Sequence, residues 1–302
     1  MFIMPLRKSP LSVSDIMMGL TSATVWGLNF VAIKIGLQEI PPFMLGVLRF
    51  IAVIFPCIFI FPRPPIPWRW LIALGLTLNA GQFGLLFLGI KLGMPVGLAS
   101  LLSQAQNFFT LLLAVIFLGE RWMKNQLIGL LLAVSGLIII GLNQGENMTT
   151  AGFLLVIAAA SNWGAGNVII RKITRGTQSF SMLSLLVWAG AVAILPLTLL
   201  SLIVEGPAAW AAAFSSLTWR TFASVAYLSY VAIFIGYGFW GRLMSRHPAG
   251  MVSSFALLVP IVGIVSSSLL LKETLSFWQG LGALLVMAGL AFHIFGAKKQ
   301  TV

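Results

Sequence analysis

Charge is scarce in this chain. Only 8% of its 302 residues are charged, where a soluble domain carries about a quarter. A single cysteine, Cys57, excludes an intrachain disulfide and leaves the redox compartment untestable. The two histidines, one cysteine and six acids nowhere fall at metal-ligand spacing, so no metal site is expected. No Walker loop occurs, so the chain is not expected to consume ATP, and no cofactor is expected. The acids are informative by position. Asp15, Glu39, Glu120, Glu146, Glu205 and Glu273 all lie at or beyond the ends of apolar runs. With no carboxylate in the middle of a run, a proton relay through a buried acid, common in membrane pumps, lacks its central part.

Apolar sequence is abundant. Hydrophobic residues make up 59% of the chain, and runs of about 20 residues, each enough to cross the hydrocarbon, recur along it. The pattern predicts an all-α integral membrane protein with spans at 15–37, 43–62, 68–90, 95–118, 124–142, 150–170, 180–204, 217–241, 248–271 and 276–296. Prolines at 41–42, at 62–67 and at 207 break the pattern where loops belong. Residues 1–10, with Arg7 and Lys8, precede a long apolar run without a small-residue cleavage site, which reads as an uncleaved first helix. A net charge of +12 would suggest nucleic acid in a soluble protein. Here the basic residues sit in short loops, so no nucleic-acid partner is expected. With ten spans and both termini cytoplasmic, 13 of the 18 basic residues fall inside, four outside, and Arg49 alone lies within a span. That asymmetry is the positive-inside pattern.

The sequence also reads twice. Residues 95–141 and 248–294 align without a gap: Pro95 with Pro248, Gly97 with Gly250, Leu118-Gly119-Glu120 with Leu271-Lys272-Glu273. Gln126, Gly129 and Gly136 fall on Gln279, Gly282 and Gly289. More weakly, Trp26-Gly27 aligns with Trp163-Gly164. The copies occupy 1–142 and 150–296. Five spans per copy is an odd number, so the second copy is expected to be inverted, a transporter architecture.

Four short stretches carry a resemblance. Thr24-Val25-Trp26-Gly27-Leu28-Asn29-Phe30, Leu48-Arg49-Phe50, Gly97-Leu98-Ala99-Ser100 and Leu118-Gly119-Glu120-Arg121 resemble the EamA family of the drug/metabolite transporter superfamily. Residues 93–106 and 236–238 are similar to its exporters of O-acetylserine and cysteine. The resemblance implies ten helices in two inverted five-helix repeats around a central cavity. It also implies export of small metabolites across the bacterial inner membrane.

Polar side chains inside lipid usually face protein or a wet cavity. Ser22, Trp26 and Asn29 share one face of the first span. Ala160, Trp163 and Asn167 repeat that face in the sixth. Asn79 and Gln82 are three apart in the third span, Ser100, Gln104 and Asn107 share a face of the fourth, and Tyr230, Phe234 and Tyr237 form a stripe on the eighth. Amides can donate to a carboxylate and accept from an ammonium, and aromatic faces hold cations. The substrate-contact candidates are therefore Trp26, Asn29, Gln82, Gln104, Asn107, Trp163, Asn167, Tyr230 and Tyr237. The competing reading is glue between helices, where the same residue types occur. Arg49 could clamp a substrate carboxylate or could snorkel to the outer surface. Its counterpart in the second copy is Val187. Glu120 and Glu273 read as helix caps. Gly129, Gly136, Gly282 and Gly289 suit close packing, either of the fifth span on the tenth or of two copies of the chain in a homodimer.

The resulting expectation is a multi-pass inner-membrane exporter of small amino-acid-like metabolites, working in the lipid bilayer by alternating access. A polyspecific exporter of aromatic or cationic drugs is the alternative. A membrane enzyme or sensor is disfavoured by the lack of clustered ionisable groups. Inversion makes a direct prediction. Single cysteines placed at Arg121 and at Lys272, in a Cys57→Ala background, are expected to react with an impermeant maleimide from opposite faces. Labelling of both from one face contradicts the inverted repeat.

Overall fold

The computed structural model describes residues 11–121, 123–145, 148–174, 180–215 and 217–296. The predicted basic segment 1–10, Glu146 and Arg175 lie outside the described residues. The described chain is helical, without strands. Its long elements are α1 Val13–Glu39, α2 Pro42–Cys57, α3 Trp68–Lys91, α4 Val96–Leu118, α5 Lys124–Leu142, α6 Thr150–Thr174, α7 Met182–Glu205, α8 Trp219–Arg246, α9 Gly250–Leu271 and α10 Phe277–Gly296. Among the described residues nine of these are long and apolar enough to cross a membrane, and α2 is a shorter apolar helix. The sequence pattern ran the second span to residue 62. The helix stops at Cys57 instead, because interior Pro56 lacks the N–H that would bond the Ala52 carbonyl. That carbonyl is met by the Tyr230 hydroxyl at 3.0 Å.

Helix starts follow local chemistry. Ser12 and Asp15 form a reciprocal capping box at α1. Gln126 and Gln279, a matched pair in the sequence, accept from the backbone N–H of Met123 and Ser276, each at 3.0 Å, and close the first turns of α5 and α10. The ends of α4 and α9 also match. Gly119 takes φ 66° and Lys272 takes φ 59°, the left-handed conformation that stops a helix. Among the described residues Lys272 is the one non-glycine with positive φ.

The halves interleave rather than standing apart. α1 packs on α8 and α9, and α6 packs on α3 and α4 in the corresponding way. α2 meets α8, and α3 meets α7. The helices α5 and α10 form the tightest seam. A Cβ on Gly129 would stand 2.6 Å from the Gly289 carbonyl, and one on Gly136 would stand 2.5 Å from the Gly282 carbonyl. The contact is reciprocal, so backbones touch where the side chains are missing. The four glycines therefore join α5 to α10 within one chain.

Carboxylates then tie one half to the other at the helix ends. Glu205, ending α7, accepts from the backbone N–H of Phe43 at 2.6 Å and of Met44 at 3.1 Å. Glu273 accepts from Val96 at 2.9 Å and Gly97 at 3.0 Å. Glu39 accepts from the hydroxyls of Thr218 and Thr221. At the opposite end of the bundle Asp15 lies 3.1 Å from His247, and Glu120 pairs with Arg171 at 2.7 Å. Glu273 thus caps, as expected, but it caps α4 of the other half rather than the helix that follows it. The free N–H groups of a helix start attract whichever carboxylate the fold brings there.

The seam predicts its own sensitivity. Gly136→Leu is expected to destabilise the protein by at least about 1–3 kcal/mol, the usual cost of overpacking. Gly280→Ala, with nothing within 4 Å of the new Cβ, is expected to be neutral. Thermal unfolding in detergent checks both, and equal stability of the two variants contradicts the packing.

Candidate functional site

Four helices, α2 and α3 from one half and α7 and α8 from the other, enclose a cavity lined by Arg49, Asn79, Gln82 and Tyr237 against apolar walls. Its volume is about 30 Å³, room for a water molecule and far less than an amino acid needs. Arg49 is only 4% exposed. Its guanidinium carbon lies 3.7 Å from the Phe83 ring centre and 5.6 Å from that of Phe50, within cation–π range. Its Nε and Nη1 are buried and find no hydrogen-bond acceptor in the protein, and Asn79 Nδ2 is buried in the same condition. Buried polar groups are normally satisfied, so these donors leave bonding capacity for a water molecule or a polar ligand in the cavity.

Irregular helix turns shape the walls. Gly75–Gly81 of α3 and Tyr227–Tyr237 of α8 are π-helical. These wider turns loosen the backbone ladder and are frequent at functional sites. In α8 the carbonyls are met from α1. The Trp26 indole N–H donates to Ala232 O at 3.1 Å, and Ser22 Oγ donates to Gly236 O at 3.1 Å. Gly236 has to be glycine, since its Cβ would stand 2.4 Å from the Trp26 indole nitrogen. The Trp26 ring packs 5.0 Å from Tyr237 and so backs a cavity residue. Short 3₁₀ turns interrupt α4 at Ser103–Ala105 and α9 at Ser253–Leu257.

The sequence candidates separate into groups. Arg49, Gln82 and Tyr237 share the cavity. Trp26 stands behind Tyr237. Tyr230 lies on α8 with its hydroxyl on Ala52 and does not line the cavity. Asn167 bonds Gln106 at 2.6 Å and Thr110 at 3.2 Å, joining α6 to α4. Asn107 bonds Gln104 within α4. Trp163 packs against an apolar cluster that α3 and α7 share, which includes Leu71, Leu74, Leu78, Leu185 and Ala189. Asn29 is buried, with Oδ1 unsatisfied, and is not among the lining residues. Asn79, Phe50 and Phe83 line the cavity without having been singled out as contacts. For Asn79 the signal was there, a face shared with Gln82. A separate recess of about 400 Å³ opens at the Glu39–Glu205 end of the bundle, with Lys91 on its wall. Among the described residues no group of three His, Cys, Asp or Glu side chains could hold a metal ion.

This arrangement can be compared with known proteins. The model of the EamA-like transporter family matches residues 13–142 and 150–295. A probable amino-acid metabolite efflux pump of Salmonella typhimurium is 43% identical over 95% of this chain and 97% of its own length. Its counterpart in Escherichia coli is 42% identical over the same shares. A probable terminal-alkyne amino-acid exporter of Streptantibioticus cattleyicolor is 31% identical over 60% of this chain and 58% of its own length. A solved structure titled only as a protein superposes with a TM-score of 0.61 at 21% identity, covering 95% of this chain and 99% of that one, which supports the fold alone. The family match takes in nearly the whole chain, and the chain belongs to the EamA-like transporter family.

Proposed function

We propose that this inner-membrane transporter exports small amino-acid-like metabolites, of the cysteine or O-acetylserine kind, by alternating access around the Arg49 cavity. The observation that carries the reading is the cavity itself. It is enclosed by helices of both halves, and it collects a guanidinium, two amides and a phenol in an otherwise apolar wall. Those groups match a zwitterion's carboxylate and ammonium. The printed descriptions of the relatives, amino-acid metabolite efflux and amino-acid export, agree with that chemistry. Arg49, Asn79, Gln82 and Tyr237 are the contacts, with Trp26 positioning Tyr237.

We read the architecture as ten spans in two inverted repeats, with both termini cytoplasmic. Helix directions support the inversion. α1 runs from the Asp15–His247 end to the Glu39–Thr218 end. α6 begins beside Leu92, whose carbonyl accepts from Thr149, and finishes at the Arg171–Glu120 pair, so it runs the opposite way. The moving parts follow from regularity. α5 and α10 are unbroken and locked by their glycine seam, whereas α3, α4, α8 and α9 each contain π or 3₁₀ turns that can be re-formed. The carboxylate clamps at Glu39, Glu205 and Glu273 hold one end shut and must part when that end opens.

Two outcomes are expected in cells exporting cysteine. Gln82→Ala and Tyr237→Phe lower export about tenfold or more at normal membrane levels, the cost of one hydrogen bond to a charged group. Asn167→Ala, which loosens the α4–α6 junction, lowers the amount of protein and leaves export per molecule unchanged. Undiminished export by both cavity variants removes the cavity from the mechanism.

A further inference from the structure

Arg49 sets a charge problem that the protein's own side chains do not solve. Its guanidinium lies against the Phe50 and Phe83 rings, and the cavity beside it is lined by Leu183, Leu186 and Val187 of α7 and by the neutral polar groups of Asn79, Gln82 and Tyr237. The described carboxylates are all engaged elsewhere. Asp15 lies against His247, Glu39 holds Thr218 and Thr221, Glu120 pairs with Arg171, Glu205 caps α2 and Glu273 caps α4. Removing an ion from water without a partner is strongly unfavourable, and the two aromatic faces recover only part of that cost. Arginine cannot escape by losing its proton, as a buried lysine can. A planar monoanion can satisfy the fork, and a carboxylate matches it in shape. The cavity takes one such group, not two, because the α7 side chains that line it opposite Arg49, Leu183, Leu186 and Val187, are apolar and offer no second cation.

Resting on the export reading above, we infer that the protein is a one-for-one carboxylate exchanger. The site passes through its closed form quickly only when a solute carboxylate sits on Arg49. One amino-acid carboxylate leaves the cell, and the site returns carrying another. Closing without that group strips water from a charge that nothing else balances, which slows the empty return.

Exchange is tested with the purified full chain in liposomes, following entry of labelled cysteine. The lumen holds unlabelled cysteine, cysteamine, which has the thiol and ammonium but no carboxylate, or potassium chloride alone. The expected result is entry on the order of tenfold faster, or more, into cysteine-filled vesicles than into either of the others, a ratio that corresponds to about 1.4 kcal/mol of barrier. Arg49→Gln is expected to make entry independent of the lumen, and Arg49→Lys to keep part of the acceleration. Equal entry into cysteine-filled and chloride-filled vesicles overturns the inference while leaving the export reading standing. So does acceleration by cysteamine equal to that by cysteine. If Arg49→Gln fails to insert, the three lumens of the native protein still decide. Absence of labelled entry under every condition sinks the cysteine-export reading and the exchange with it.

Discussion

One buried positive charge organises this molecule. Arg49 lies in α2 at the contact between the halves, with two phenyl rings beside it and no described carboxylate within reach. A charge in that setting is normally paired or removed, because desolvation costs several kcal/mol. The chain does neither. It spends its few acids on helix ends, where they seat on backbone N–H groups and hydroxyls across the halves. The result is a bundle tied across one end by protein carboxylates, with its central cation unpaired among the described carboxylates; on the exchange reading a solute carboxylate balances it.

The rest of the bundle divides by stiffness. Where α5 meets α10, glycine lets backbone touch backbone, and the helices run without a break. Several other helices depart from α geometry. π turns lie in α3, in α8 and at the end of α7, and 3₁₀ turns lie in α4 and α9. Freed carbonyls in α8 and α2 are met by Trp26, Ser22 and Tyr230 rather than by their own helix. Such bonds between side chain and backbone can be exchanged at small net cost. On the alternating-access reading, the irregular helices change shape while the seam keeps the halves in register.

Much of this was legible in the sequence. Span positions came from apolar runs, and glycines seven apart in both copies marked a close contact without deciding between α5 on α10 and two copies of the chain. That Arg49 is matched by an apolar counterpart in the second copy, Leu186 or Val187, came from alignment alone. Other features were not legible, for a physical reason. A stripe of polar residues says which face of a helix is polar and not which neighbour meets it. Trp26, Asn167 and Gln82 had equal claims as stripes. Only tertiary placement puts Gln82 in the cavity, Trp26 on the backbone of α8 and Asn167 between α4 and α6. The clamps by Glu205 and Glu273 depend on partners about 160 to 180 residues away, which no local pattern encodes. The early stop of α2 was written in Pro56, whose effect became clear once Tyr230 was seen on the Ala52 carbonyl.

The most direct measurement is equilibrium binding of labelled cysteine or O-acetylserine to the purified protein in detergent, native against Arg49→Gln, with cysteamine as competitor. A solute carboxylate seated on Arg49 requires affinity to fall about tenfold or more in the variant, the loss of one hydrogen bond to a charged group. It also requires cysteamine to compete poorly with the native protein. Equal affinity of the two proteins, with cysteamine competing as well as cysteine does, would contradict it.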